Sequence, residues 1–187
     1  MRVWTIANQK GGVGKTTTTI ALAGLLAQSK RRVLMIDLDP HASLTAYFGH
    51  DPEAGIVGVY DLFMEHKRLT RDAVLLARCI TELDNLHFLP GQVALATLEK
   101  QMAGHDGVGL ILQRIVQLIQ DDVDEVLIDC PPVLGILMVN ALATCDALII
   151  PVQTEFLALQ GLERMLRTLQ MIQKSRRSEI FHRIIPT

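Results

Sequence analysis

Asn8-Gln9-Lys10-Gly11-Gly12-Val13-Gly14-Lys15-Thr16-Thr17 stands between two apolar segments. Before it, Val3, Trp4, Ile6 and Ala7 mark a buried strand. After it, residues 16–28 carry Ile20, Ala23, Leu26 and Ala27 on one stripe with the helical period. A strand, a glycine-rich turn and a helix opening at Lys-Thr is the setting of a phosphate-binding loop. Glycines let the backbone N–H groups curl inward, and the helix N-terminus adds partial positive charge. Lys15 is placed to reach the β- and γ-phosphates of a nucleotide, and Thr16 to offer its hydroxyl to magnesium. The spacing departs from the usual G-x-x-x-x-G-K-[ST] pattern. Gln9 stands where the first glycine belongs, and a second lysine, Lys10, precedes Lys15 by five residues.

At 187 residues the chain suits a single domain with a substantial core. Its 49% apolar and 20% charged content fits a compact soluble α/β protein rather than a disordered one. A net charge of -2 gives no general attraction to nucleic acid, so such binding requires a local basic patch. Cys79, Cys130 and Cys145 lack C-x-x-C spacing, which argues against a zinc site or disulfide framework and suits a reducing cytosol. No charged-then-apolar leader precedes the first strand. No apolar run approaches the roughly 18 residues of a membrane span, so a cytoplasmic location is expected.

Further along, residues 33–38 (VLMIDL) form a continuous apolar run, as in a parallel strand covered on both faces. It opens into Asp37-Leu38-Asp39-Pro40-His41, where carboxylates at a strand's C-terminal end face the ligand crevice of an open sheet. Short helices are expected at 43–48, 59–65 and 70–76, the last capped at Thr70. A strand is expected at 86–89, and helices at 93–101 and 108–120 flank an interruption at 103–107. The acidic turn around Asp121, Asp122, Asp124 and Glu125 reads as a solvated loop. Residues 126–129 (VLID) form a strand ending in Asp129, a carboxylate suited to holding magnesium through water beside the loop. A helix at 137–143, a strand at 147–150 closed by Pro151, a helix at 156–173 and a strand from 180 complete the pattern. Lys174, Arg176 and Arg177 suit the C-terminus of the long helix. Alternating strands and helices predict a doubly wound, mostly parallel α/β sheet with helices on both faces.

Four stretches, NQKGGVGKTTT, DLDPH, VLIDCPP and PVQTEFLALQGL, together resemble the ParA/MinD family of deviant Walker-A ATPases, nearer its ParA-like branch and similar to the members found in chemotaxis gene clusters. The resemblance implies a P-loop ATPase that binds ATP and Mg2+, dimerises when ATP-bound and hydrolyses slowly. Its output would be the positioning of DNA, in plasmid or chromosome partitioning, or of a polar protein array such as chemoreceptors. Implied partners are a second copy of the chain, a ParB-like protein or array adaptor, and DNA bound without sequence preference. Implied placements are the nucleoid or the cell pole.

Residue by residue, the resemblance implies nucleotide contacts from Lys10, Gly11, Gly12, Val13, Gly14, Lys15, Thr16 and Thr17. Lys10 matches the signature lysine that reaches the partner's nucleotide, delivering a cation in trans as an arginine finger does. Asp39 matches the carboxylate that positions the attacking water. Thr16 and Asp129 match the magnesium ligands, with Asp37 supporting the metal shell. His41 replaces the glutamine common in relatives and is expected to face solvent. Cys130 is expected to be a small buried side chain. Relatives usually continue for several dozen residues, so the resemblance implies an incomplete domain lacking C-terminal strands and helices. Two other classes share this fold: a reductase component resembling the nitrogenase iron protein, which needs paired cysteines, and an amidoligase-type ATP enzyme.

Overall fold

The computed structural model describes residues 1–102, 107–176 and 179–187. The chain runs β1 (Arg2–Ile6), α1 (Lys15–Gln28), β2 (Val33–Asp37), α2 (Ser43–Tyr47), α3 (Val59–Met64), α4 (Arg71–Leu76), β3 (Cys79–Ile80), β4 (Leu86–Leu89), α5 (Leu98–Gln101) and α6 (Ile111–Leu118). It continues through β5 (Glu125–Asp129), α7 (Ile136–Thr144), β6 (Ala147–Val152), α8 (Phe156–Arg176) and β7 (Phe181–Pro186). The strands form one sheet in the order β3-β4-β2-β5-β1-β6-β7. Every pairing is parallel except the antiparallel edge between β3 and β4.

Alternation along the central strands supplies two cores. Leu34 and Ile36 of β2 and Val126 and Ile128 of β5 face the layer that holds α3 to α8. Val33, Met35 and Leu127 face α1 instead, in a cluster with Ile6, Phe88 and Ile149. Burial on both faces is why these strands read as unbroken apolar runs. All four residues of the expected α1 stripe join this second cluster. Ala23 and Ala27 are buried with Thr19, while Ile20 and Leu26 pack only partly. Small side chains therefore set the approach of this helix to the sheet.

Three expectations are corrected. The helix expected at 108–120 begins as a 3-10 turn (Val108–Leu110) before α6. The buried Asn140 side chain of α7 explains the break: it accepts from Leu112 N–H at 3.0 Å and donates to Val108 O at 2.8 Å, taking over backbone groups a continuous helix would pair. The segment 93–101 divides likewise, into a 3-10 stretch (Val93–Thr97) and α5. Pro151 lies inside β6 rather than closing it. Its register partner is Ile185 of β7, and on the other side β1 pairs β6 only as far as Ile149, so no ladder bond is lost to the missing N–H. Strand β3 was not expected at all.

Thr70 accepts from Ala73 N–H as the α4 cap. The acidic turn is exposed at Asp121 but not idle, since Asp124 pairs with Arg32 and Asp122 with Arg71. Arg176 donates to the carbonyls of Leu142 and Cys145 at the end of α7. Arg177 and residues 103–106 of the expected interruption lie outside the described residues.

Candidate functional site

The C-terminal ends of β1, β2 and β5 lie side by side, with Ile6 and Asp37 both in register with Asp129. That is where parallel open sheets bind ligands. The loop leaving β1 turns back through left-handed glycines, Gly12 at φ 73 and Gly14 at φ 82, and α1 starts at Lys15. A side chain at either position would be strained. Gly11, Gly12, Gly14, Lys15, Thr16 and Thr17 line a cavity of about 460 Å³, and Asp39, His41, Ser43 and Pro132 close its other side. The phosphate-loop residues and Asp39 are therefore brought to one place.

Lys15 is largely buried, and its ammonium donates to Lys10 O at 3.3 Å, inside the curl of the loop. Thr16 Oγ1 donates to Asp129 Oδ2 at 2.6 Å. The other oxygen of that carboxylate, Oδ1, is buried without a hydrogen-bond partner. Burial pushes the Asp129 carboxyl up to about 7 against the lowering effect of the Thr16 bond, with the Asp37 charge adding to the rise. A hydroxyl and an unsatisfied buried carboxylate oxygen at a phosphate loop are the hard-oxygen donors that magnesium takes. The residues present fit that ion.

Val13 contributes to the loop by packing, being buried, and its carbonyl accepts from the Thr187 hydroxyl at 3.2 Å. Lys10 points elsewhere. Its ammonium pairs with Glu155 and donates to Gln153 Oε1 at 2.9 Å, and Gln153 Nε2 donates to Gly12 O at 3.1 Å. The segment that follows β6 thus holds the extra lysine within its own chain.

Asp37 is placed differently from a metal-shell residue. It is fully buried, Oδ2 accepts from Thr45 N–H and Thr45 Oγ1, and Oδ1 accepts from Asp39 N–H. Burial pushes it up to about 6, opposed by the Thr45 and Asp39 bonds. With both oxygens engaged by protein donors, its contacts are those of an anchor for the following loop. Asp39 itself lines the cavity. Its Oδ1 accepts from His41 N–H at 3.0 Å and lies 2.9 Å from His41 Nδ1. The His41 ring is exposed as expected, but its contact with Asp39 was not foreseen. Cys130 is fully buried, and burial raises its thiol well above the usual range, so it offers no thiolate.

Sequence reasoning left Thr45, Gly91, Gln153 and Glu155 without roles. Gln153 and Glu155 lie inside a quoted stretch, but nothing local announces a partner more than 140 positions away.

A family model described as an AAA domain, AAA_31, matches residues 1–181. The sporulation initiation inhibitor protein Soj of Bacillus subtilis is 36% identical over 173 residues, covering 92% of this chain and 66% of that protein. The chromosome partitioning protein ParA of Myxococcus xanthus is 35% identical over 173 residues, covering 92% and 59%. This chain therefore spans about two thirds or less of the length of these relatives. Among solved structures, cobyrinic acid a,c-diamide synthase from Mycobacterium smegmatis with bound ATP analog and magnesium superposes with a TM-score of 0.90 at 35% identity. It covers 100% of this chain and 74% of the other.

Proposed function

Because this chain belongs to the ParA/MinD family of P-loop ATPases, we propose that it is an ATP-dependent dimerisation switch that hydrolyses ATP slowly to position a cargo. The observation that carries this reading is the convergence of Lys15, Thr16 and Asp39 on one cavity at the strand ends, with Asp129 bonded to Thr16 behind it. The backbone N–H groups from Gly11 to Thr17 and the Lys15 ammonium draw in and hold the phosphates. Magnesium, when bound by Thr16 with Asp129 behind it, supplies charge neutralisation for the transferred phosphoryl group. Asp39 accepts a hydrogen bond from water and orients it for attack. Lys10 leaves Glu155 and Gln153 to reach the partner's phosphates, so its charge is delivered only in the dimer.

The cargo proposed is DNA, following the partitioning role named for the Myxococcus relative, with a ParB-like protein as the stimulating partner. A polar array placed through an adaptor is the other form of the same activity. No described helix is long and apolar enough to cross a membrane. Binding of a fluorescent ATP analogue, compared between the wild-type chain and Lys15→Ala with and without magnesium, tests the site. Binding that needs both Lys15 and the metal is expected, and equal binding by both proteins contradicts the assignment.

A second reading, an amidoligase-type enzyme, takes support from the likeness to the Mycobacterium synthase. An amidoligase hands its phosphoryl group to a carboxylate acceptor, whereas the switch hands it to water. Phosphate release with no acceptor present favours the switch, and release only when a carboxylic acid and ammonia are added favours the ligase.

A further inference from the structure

Thr45 ties the strand end that carries Asp39 to the end of the neighbouring strand β4. It lies on α2 and is fully buried, and its hydroxyl is used twice. It donates to Asp37 Oδ2 at 2.7 Å and accepts from Gly91 N–H, just past β4, at 2.8 Å. A backbone N–H can only donate, so the hydroxyl must accept from Gly91 and its single proton must go to Asp37. Thr45 N–H adds a second bond to the same carboxylate oxygen at 2.9 Å. The other oxygen, Oδ1, accepts from Asp39 N–H at 3.2 Å. A line of bonds therefore runs from the end of β4 through Thr45 and Asp37 to the backbone of Asp39.

The surroundings leave this line little freedom. A Cβ at position 91 would stand 2.8 Å from Asp37 Cγ, so glycine there lets the β4 end press directly on the carboxyl group. Between Asp39 and α2 the chain turns through Ala42 at φ 48, a left-handed conformation unusual for alanine, with Ala42 N–H donating to Asp39 O at 2.8 Å. Such a conformation persists only where its surroundings over-determine it. Gly91, Thr45 and Asp37 are not among the residues that line the phosphate-loop cavity, whereas Asp39 is.

We propose that Thr45 is a positioning residue for hydrolysis: it clamps Asp37 between α2 and the end of β4, and Asp37 in turn sets the backbone of Asp39. The inference rests on the ATPase reading above and assigns Asp37 to the clamp instead of to the metal. Valine at position 45 keeps the side-chain shape, removes both hydroxyl bonds and leaves Gly91 N–H without its acceptor. Serine keeps the hydroxyl.

The test is steady-state ATP hydrolysis together with amide hydrogen exchange on the wild-type chain, Thr45→Val and Thr45→Ser. Thr45→Val lowers kcat by about 10- to 100-fold, the scale on which misplacement of a reacting group acts. KM for Mg-ATP stays within about twofold, because the phosphate loop is untouched. Thr45→Ser recovers most of kcat. Amides of residues 38–43 exchange faster in Thr45→Val and at the wild-type rate in Thr45→Ser, with α1 unaffected in both. Unchanged kcat in Thr45→Val overturns the proposal, as does a Thr45→Ser variant as slow as Thr45→Val. If the wild-type chain hydrolyses no ATP, the ATPase reading fails by itself, and equal protection of residues 38–43 in wild type and Thr45→Val then overturns the clamp.

Discussion

Thr16 Oγ1 donates to Asp129 Oδ2 at 2.6 Å, joining the first turn of α1 to the end of β5. The bond uses one carboxylate oxygen and leaves Oδ1 buried and unpartnered. A buried carboxylate oxygen of this kind takes a cation or a proton as its partner.

The pH dependence of stability follows from that choice. Burial pushes Asp129 up to about 7 and Asp37 up to about 6. Each carboxyl holds its proton more tightly folded than unfolded, so its contribution is present below the unfolded pKa and is lost as pH climbs through the folded one. In chelator, the thermal midpoint is expected to fall between about pH 4 and about pH 8, and Asp129→Asn to remove part of that fall. Magnesium added at the upper end restores stability to the wild type and not to Asp129→Asn. A midpoint that rises across this range contradicts the assignment. On the acid side the sign reverses. Arg32 holds Asp124 well below the usual carboxylate range, so that exposed pair contributes above the ordinary carboxylate pKa and fades as pH drops.

In the proposed switch, Lys10 is expected to separate binding from turnover. Its ammonium is engaged by Glu155 and Gln153 rather than by the cavity, so Lys10→Ala is expected to leave nucleotide affinity of the monomer within about threefold. Hydrolysis stimulated by a partner should fall by about 1,000-fold or more, the scale on which a cation supplied in trans acts. Titration of a fluorescent ATP analogue and phosphate release, measured on the same preparation, check both halves. Unchanged turnover refutes the in-trans role.

Two glycines are expected to respond oppositely to alanine. A Cβ on Gly24, within α1, meets nothing within 4 Å, so Gly24→Ala should stabilise by about 1 kcal/mol through helix propensity. A Cβ on Gly58 would stand 2.4 Å from Pro90 O and 2.8 Å from Gln92 Oε1, so Gly58→Ala should destabilise by about 1–3 kcal/mol. Urea unfolding of the two variants measures both signs.

Features set by local chemistry are legible in the sequence alone. The apolar runs of β1, β2 and β5, the loop at 8–17 and the Thr70 cap each declare themselves within a few residues. Asp129 was legible because a strand end beside a phosphate loop has few roles for a carboxylate. What escaped depends on distant partners. Asn140 breaks the helix at 108–120 from 28 positions away, and Gly91 meets Thr45 from 46 away. Strand β3, two residues long at an antiparallel edge, has no periodicity to read. The resemblance gives Asp37 a supporting place in the metal shell, and in sequence nothing separates the two carboxylates of Asp37-Leu38-Asp39. Only the fold shows that one is buried against Thr45 while the other lines the cavity.

In the proposed switch, ATP, and not ADP, closes two copies of this chain around their nucleotides. Asp39→Ala, which removes the carboxylate facing the loop while sparing Lys15, Thr16 and Asp129, should bind ATP without hydrolysing it. Sedimentation velocity of Asp39→Ala in Mg-ATP and in Mg-ADP measures the claim directly. A dimer in ATP and a monomer in ADP is the predicted result. A monomer in both, with the ATP analogue demonstrably bound, would contradict the switch.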